Sequence, residues 1–145
     1  MTNCIEIKGL CKSYGDFSLQ NIDLSLPGGS ILGMIGENGA GKTTTIKCIL
    51  NLIHRDAGEI TLLGHDNIRE ERLAKQDVGI VLDECFFHDT LRPRDVGKIL
   101  APAYHNWDQK LFRDYLDKFH LPEKKLIKEF SRGMKMKLSL SAALA

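Results

Sequence analysis

Gly36-Glu37-Asn38-Gly39-Ala40-Gly41-Lys42-Thr43 is the stretch on which the reading of this chain turns. Three glycines within six residues suit neither a helix nor a strand. They follow the apolar run Ile31-Leu32-Gly33-Met34-Ile35 and precede Ile46-Lys47-Cys48-Ile49-Leu50-Asn51-Leu52-Ile53. The stretch matches G-x-x-x-x-G-K-[ST], with a strand expected before it and a helix after it. Glycine lets successive backbone N–H groups turn inward into a nest, with no Cβ to block an incoming phosphate. The helix that starts near Lys42 adds its free N–H groups and the positive end of its dipole. Lys42 brings a mobile charge within reach of the β and γ phosphates, the Thr43 hydroxyl can ligate Mg²⁺, and Thr44 can serve the α phosphate. A chance match in a chain this long has a probability of roughly half a percent. The motif therefore outranks its bland alternative, a ligand-free strand-to-helix turn.

The rest of the chain sets bounds on that reading. Its 145 residues are 43% hydrophobic and 27% charged, which fits one globular domain with one core. A net charge of +1 gives no broad pull on nucleic acid. The longest apolar runs are too short to cross a bilayer, and Met1-Thr2-Asn3-Cys4-Ile5-Glu6 does not read as a signal peptide. Cys4, Cys11, Cys48 and Cys85 are scattered without a CxxC pair. They read as free thiols in small core positions, suited to a reducing cytosol.

Strand-like alternation marks residues 5–10 and 21–26, the latter with Ile22, Leu24 and Leu26 on one face. Residues 30–36 and 78–84 read as strands buried on both faces, and Gly58–Gly64 as another short strand. The run from Lys42 to Ile53 has helical spacing, with Ile46, Ile49, Leu50 and Ile53 on one side. A charged surface helix is expected at 68–77. Helices are also expected at 92–106 and 108–121, and a last one opens at an N-capping Ser131. The order runs from strands to mixed α/β to helices. The reading is thus an α/β fold with a nucleotide-binding core over residues 1–86 and a helical subdomain over 87–145.

With these segments in place, the chain resembles the ATP-binding subunit of ABC transporters over essentially its whole length. The resemblance rests on Lys12-Ser13-Tyr14-Gly15-Asp16, the phosphate loop, Ala57-Gly58-Glu59-Ile60-Thr61-Leu62-Leu63-Gly64, the 78–91 segment and Phe130-Ser131-Arg132-Gly133-Met134. It implies an ABC-type P-loop NTPase fold with an antiparallel β layer and a helical subdomain. The implied ligands are ATP and Mg²⁺. The resemblance places Tyr14 on the adenine ring, with a turn tyrosine as the alternative, and spreads nucleotide contacts over Gly36, Glu37, Asn38, Gly39, Ala40, Gly41, Lys42, Thr43 and Thr44. Ser131, Arg132 and Gly133 would face the γ phosphate held by a second ATP-binding subunit, identical or related; the alternative is an ordinary capped helix. Asp83 stands where the family has a glutamine that touches Mg²⁺ and water, so Lys42 and Asp83 are the implied catalytic residues and Thr43 and Asp83 the implied metal ligands. The alternative for Asp83 is a residue that simply caps its loop. The Asp83–Phe87 region would receive membrane permease subunits, with core packing as the alternative for Phe86 and Phe87. The location implied is cytoplasmic, on the inner face of the cell membrane, with no nucleic-acid partner.

Three departures stand out: Asp83 replaces the loop glutamine, Arg132 a signature glycine, and Met134 a glutamine. The family continues past the point matched by Ala145 with an apolar strand ending in aspartate and glutamate, then a histidine. The expectation is therefore an incomplete core sheet and a chain that binds ATP but hydrolyses it poorly or not at all. Two origins are open for it, a fragment or a short paralogue working beside a full partner. Two other functions also remain: a nucleotide-binding regulator without turnover, and a soluble ABC protein acting on ribosomes or DNA.

Overall fold

A computed structural model describes residues 2–145, and their contacts divide the chain into two units, 1–75 and 76–145. The division falls earlier than the Phe86 boundary suggested by composition. The cause is segment 78–84, whose contacts lie with the helices that follow it.

The first unit is built on a four-stranded antiparallel sheet in the order β2-β1-β3-β4. β1 (Asn3–Tyr14) and β2 (Phe17–Pro27) form a hairpin in which Tyr14 pairs with Phe17 across the two-residue turn Gly15-Asp16. β3 (Ala57–Leu62) pairs with the other edge of β1, and β4 (His65–Asp66) closes the sheet. The alternation read from the sequence holds, since Ile22, Leu24 and Leu26 all point to the less exposed side of β2. Ile7, Leu10, Leu19, Ile60 and Leu62 form the buried side of the sheet.

α1 (Lys42–Ile49) follows the glycine-rich loop. It is shorter than the run to Ile53 implied by spacing, because its end is fixed by a left-handed residue. Asn51 has φ 49°, its N–H donates to Cys48 O (3.1 Å), and Leu52 N–H donates to Lys47 O (2.9 Å). This is the paired bonding of a Schellman stop. The inward face of α1 is Thr45, Cys48 and Ile49, with Leu50 just after; Ile46, expected among them, is exposed. Burial pushes the Cys48 thiol up, as befits a packing residue. Cys4, Cys11 and Cys85 are free and partly buried. The charged 68–77 stretch yields only α2 (Glu71–Lys75).

The second unit packs α3 (Pro93–Leu100), α4 (Gln109–Lys118) and α5 (Arg132–Leu144) around Val96, Phe112, Leu116, Leu121, Ile127, Phe130 and Leu138. Each helix start is held locally. Asp95 accepts from Arg92 N–H at 3.0 Å, ahead of Pro93 in the first turn of α3. Asp108 caps α4 by accepting from Lys110 and Leu111 N–H at 2.8 and 2.9 Å. α4 stops on a second left-handed residue, His120 (φ 56°), just before Pro122.

Two expected strands do not form. Residues 30–36 and 78–84 have no ladder partner among the described residues, and Ile31, Ile35, Ile80 and Val81 are exposed. Apolar continuity was read correctly, but a strand exists only where a neighbouring backbone accepts its hydrogen bonds. The sheet that does form is the antiparallel layer, and the core sheet is incomplete.

Candidate functional site

The phosphate loop begins after Ile35 and closes on the first turn of α1. Ala40 N–H donates to Glu37 O at 3.2 Å, which folds the loop back on itself. Gly41 is the N-cap of α1, at φ 93°, and no side chain caps the helix there. A methyl group on Gly41 would stand 2.3 Å from Leu19 Cδ2 and 3.0 Å from Phe17 Cζ, so only glycine fits against β2. Gly39, at φ 87°, meets the opposite situation: a methyl there would touch nothing within 4 Å. The first glycine serves packing; the second leaves the mouth of the loop open. Thr45 then locks the first turn, its N–H and Oγ1 both donating to Gly41 O at 2.8 and 2.9 Å.

The donors left over define the chemistry. The amides of Lys42, Thr43 and Thr44 have no intramolecular acceptor among the described residues. Three unsatisfied N–H groups at a helix start attract an anion through both hydrogen bonding and the helix dipole. The Lys42 ammonium curls over the loop, donating to Gly36 O (2.6 Å) and Glu37 O (2.8 Å). Thr43 is exposed. A polyphosphate fits this donor set: open backbone amides, one ammonium, one accessible hydroxyl, and no carboxylate bonded into the loop.

Tyr14 lies at the hairpin tip and is 47% exposed. Its cross-strand partner Phe17 reaches the neighbourhood of Gly41, so the tip and the loop belong to one surface. Lys12 Nζ stands 4.9 Å from the centre of the Tyr14 ring and donates to Asp56 Oδ1 at 2.9 Å. Asp56 also accepts from Ser13 N–H at 2.7 Å. The Lys12 hydrogen bond, followed by that of Ser13, holds the Asp56 carboxyl below its usual range; the same bond raises Lys12.

The remaining candidates lie in the second unit. Ser131 caps α5, its Oγ accepting from Met134 N–H at 3.2 Å, and Ser131, Arg132 and Gly133 are all exposed. Asp83 and Glu84 are exposed beyond segment 78–82. The two phenylalanines divide their roles. Phe86 is 75% exposed, whereas Phe87 packs on the helical core. Thr43 and Asp83 thus belong to different units.

Sequence reasoning missed the lock behind α1. Asn67 is fully buried, and its Nδ2 donates to Cys48 O (2.8 Å) and Ile49 O (2.9 Å), two of the carbonyls that end the helix. Arg55 holds Asn67 Oδ1 through Nη1 (2.6 Å) and Gly58 O through Nε (2.8 Å). The helix that offers its N-terminus to a ligand is therefore anchored at its other end. Nothing in the local sequence around His65-Asp66-Asn67 marks this contact, which spans 18 and 19 positions.

Known proteins with this arrangement form a defined class. A solved structure described as the ATP-binding subunit of an ABC transporter superposes with a TM-score of 0.87 over 97% of this chain and 61% of its own; at 24% identity it speaks for the fold alone. A putative ABC transporter ATP-binding protein from Pyrococcus furiosus gives a TM-score of 0.78 at 25% identity, over 97% and 69%. Residues 19–145 match the family model described as ABC transporter, and the chain belongs to that family. The linearmycin resistance ATP-binding protein LnrL of Bacillus subtilis is 34% identical over 97% of this chain and 47% of its own length. The bacitracin transport ATP-binding protein BcrA of Bacillus licheniformis is 31% identical over 99% and 48%, and the daunorubicin resistance ATP-binding protein DrrA3 of Streptomyces coeruleorubidus 30% identical over 97% and 46%. The chain spans about half the length of these curated relatives.

Proposed function

We propose that this chain is the ATP-binding part of the subunit that powers an ABC membrane transporter. The observation that carries this is the bare start of α1: three amides without acceptors beside the Lys42 ammonium. Gly36–Gly41 and the Lys42, Thr43 and Thr44 amides would cradle the phosphates. Lys42 would exchange its two loop carbonyls for phosphate oxygens, a trade of neutral acceptors for charged ones that favours the ligand. Thr43 Oγ1 would hold Mg²⁺. The half-exposed Tyr14 ring would stack on adenine, steadied by Lys12. Bound MgATP would supply a phosphoanhydride whose cleavage releases free energy.

A second ATP-binding subunit would meet the exposed Ser131–Gly133 helix start, where Arg132 adds positive charge for the γ phosphate. Exposed Phe86 and the carboxylate of Asp83 would face the permease subunits. Among the described residues no helix is long and apolar enough to cross a membrane, which fits a peripheral position on its cytoplasmic face. Relatives named for daunorubicin resistance, linearmycin resistance and bacitracin transport favour a role in antibiotic resistance or transport, with the cargo chosen by the membrane subunits.

Calorimetric titration with MgATP tests the reading. Lys42→Ala should weaken binding by roughly ten- to a hundredfold, the scale of a lost charged hydrogen bond. Equal affinity in the two proteins would overturn it.

A further inference from the structure

Segment 76–91 touches α5 at two places. Near the C-terminal end of the helix, a methyl on Gly79 would stand 2.2 Å from Ala143 O, so the two backbones are in direct contact. Near the N-terminal end, Lys135 Nζ donates to Asp89 Oδ1 at 2.6 Å. Between these points lies a groove of about 410 Å³, lined among others by Phe86, Phe87, Trp107, Ser139 and Ala142. The segment is held at both ends and spans a hollow that contains the exposed Phe86.

The bond at Asp89 is reinforced and sits close to the helix start. Asp89 O accepts from Lys128 N–H at 3.0 Å, and Leu91 O from Ile127 N–H at 2.9 Å. Lys135 N–H in turn donates to Ser131 O at 2.9 Å in the first turn of α5. Lys135 is therefore bonded through its main chain to the capping residue and through its side chain to the 83–91 stretch. An exposed ion pair of this kind adds little to global stability. Its importance is geometric, because it joins two elements distant in sequence at the point where the helix presents its amides.

We infer that Asp89 and Lys135 are positioning residues that fasten the Asp83–Phe87 stretch to the mouth of α5, so that a displacement at Phe86 is delivered to the Ser131–Gly133 amides. The inference rests on the proposed function only for what pulls on Phe86 and what the amides hold; the mechanical link belongs to this chain alone. A pair that merely stabilised the surface would leave the amides of residues 131–134 indifferent to changes at position 86.

Backbone amide NMR on the isotope-labelled chain tests this. Phe86→Ala is the perturbation, read at the Arg132, Gly133 and Met134 resonances. In the parent background these should shift; with Lys135→Met the shifts should fall to roughly half or less. The double exchange Asp89→Lys with Lys135→Asp should restore them. Lys110→Met, which removes the exposed Lys110–Asp114 pair on α4, should leave them unchanged. If Lys135→Met fails to fold, Asp89→Asn takes its place, removing the charge while keeping an acceptor. Shifts that persist undiminished without the pair, or that are absent in the parent, overturn the inference. Adding MgATP to the same samples reads the Gly39–Thr44 amides independently, so failure of nucleotide binding and failure of the link are told apart.

Discussion

α1 and α5 both begin on an exposed turn, and they begin differently. α1 starts on Gly41 with no side-chain cap, and the amides of Lys42, Thr43 and Thr44 stay open. α5 starts on Ser131, whose hydroxyl already occupies Met134 N–H. A helix capped by a side chain offers fewer donors; one that begins on glycine gives up only roughly a few tenths of a kcal/mol and keeps its donors for a ligand. On the proposed function, α1 would be the primary anion site and α5 a contributory one.

The sharpest way to break this contrast is Gly41→Ala. A left-handed alanine costs about 1–2 kcal/mol, and the methyl must also displace Leu19. A total loss of about 3 kcal/mol in chemical denaturation is expected, together with MgATP affinity. A loss under about 1 kcal/mol would mean that the loop adapts freely and that glycine is not dictated by packing. Next in size, Ser131→Ala should cost about 1 kcal/mol by the same measurement while leaving MgATP affinity of the isolated chain unchanged. Weakened affinity there would blur the distinction between the two helix starts.

The smallest effect concerns the tip that carries Tyr14. Asp56 has a folded-state pKa below its unfolded one, so between the two values the unfolded chain binds more protons. The stabilisation is complete at neutral pH and is lost as pH falls through the lowered value. Lys12 is shifted upward, so its share is complete below the ordinary lysine range and is lost as pH rises through the raised value. The difference in urea midpoint between the parent and Asp56→Asn should therefore shrink from pH 7 to about pH 3. A constant difference would show that Asp56 acts through shape alone.

Much of this was legible because it is local. The loop Gly36–Thr43 announces itself by spacing, Ser131 by its place before an apolar run, β1 and β2 by alternation, and β3 by the glycines that bound it. The unmade strands at 30–36 and 78–84 show the limit of that reasoning, for pairing depends on a distant partner that no window contains. Ile46 fell on the wrong side because Thr45, Cys48 and Ile49 set the buried face of α1, and their small and polar members carry little hydropathy signal. The Lys12–Asp56 pair and the Asn67 lock were invisible for the same reason as the strands: each joins residues far apart in sequence. The choice between core and interface for Phe86 and Phe87 required the fold, which exposes one and packs the other.

The lock behind α1 has a titrating neighbour. The Asn67 amide carries no ionisable proton, but Arg55, which holds it, also lies 3.9 Å from Asp66 Oδ2 through Nη2, and the Arg69 and Ile68 amides hold the Asp66 carboxyl below its usual range. Acid therefore reaches both the Lys12–Asp56 pair beside Tyr14 and the Asp66 carboxylate beside the lock. The hairpin tip and the far end of α1 should lose support together as the medium turns sour.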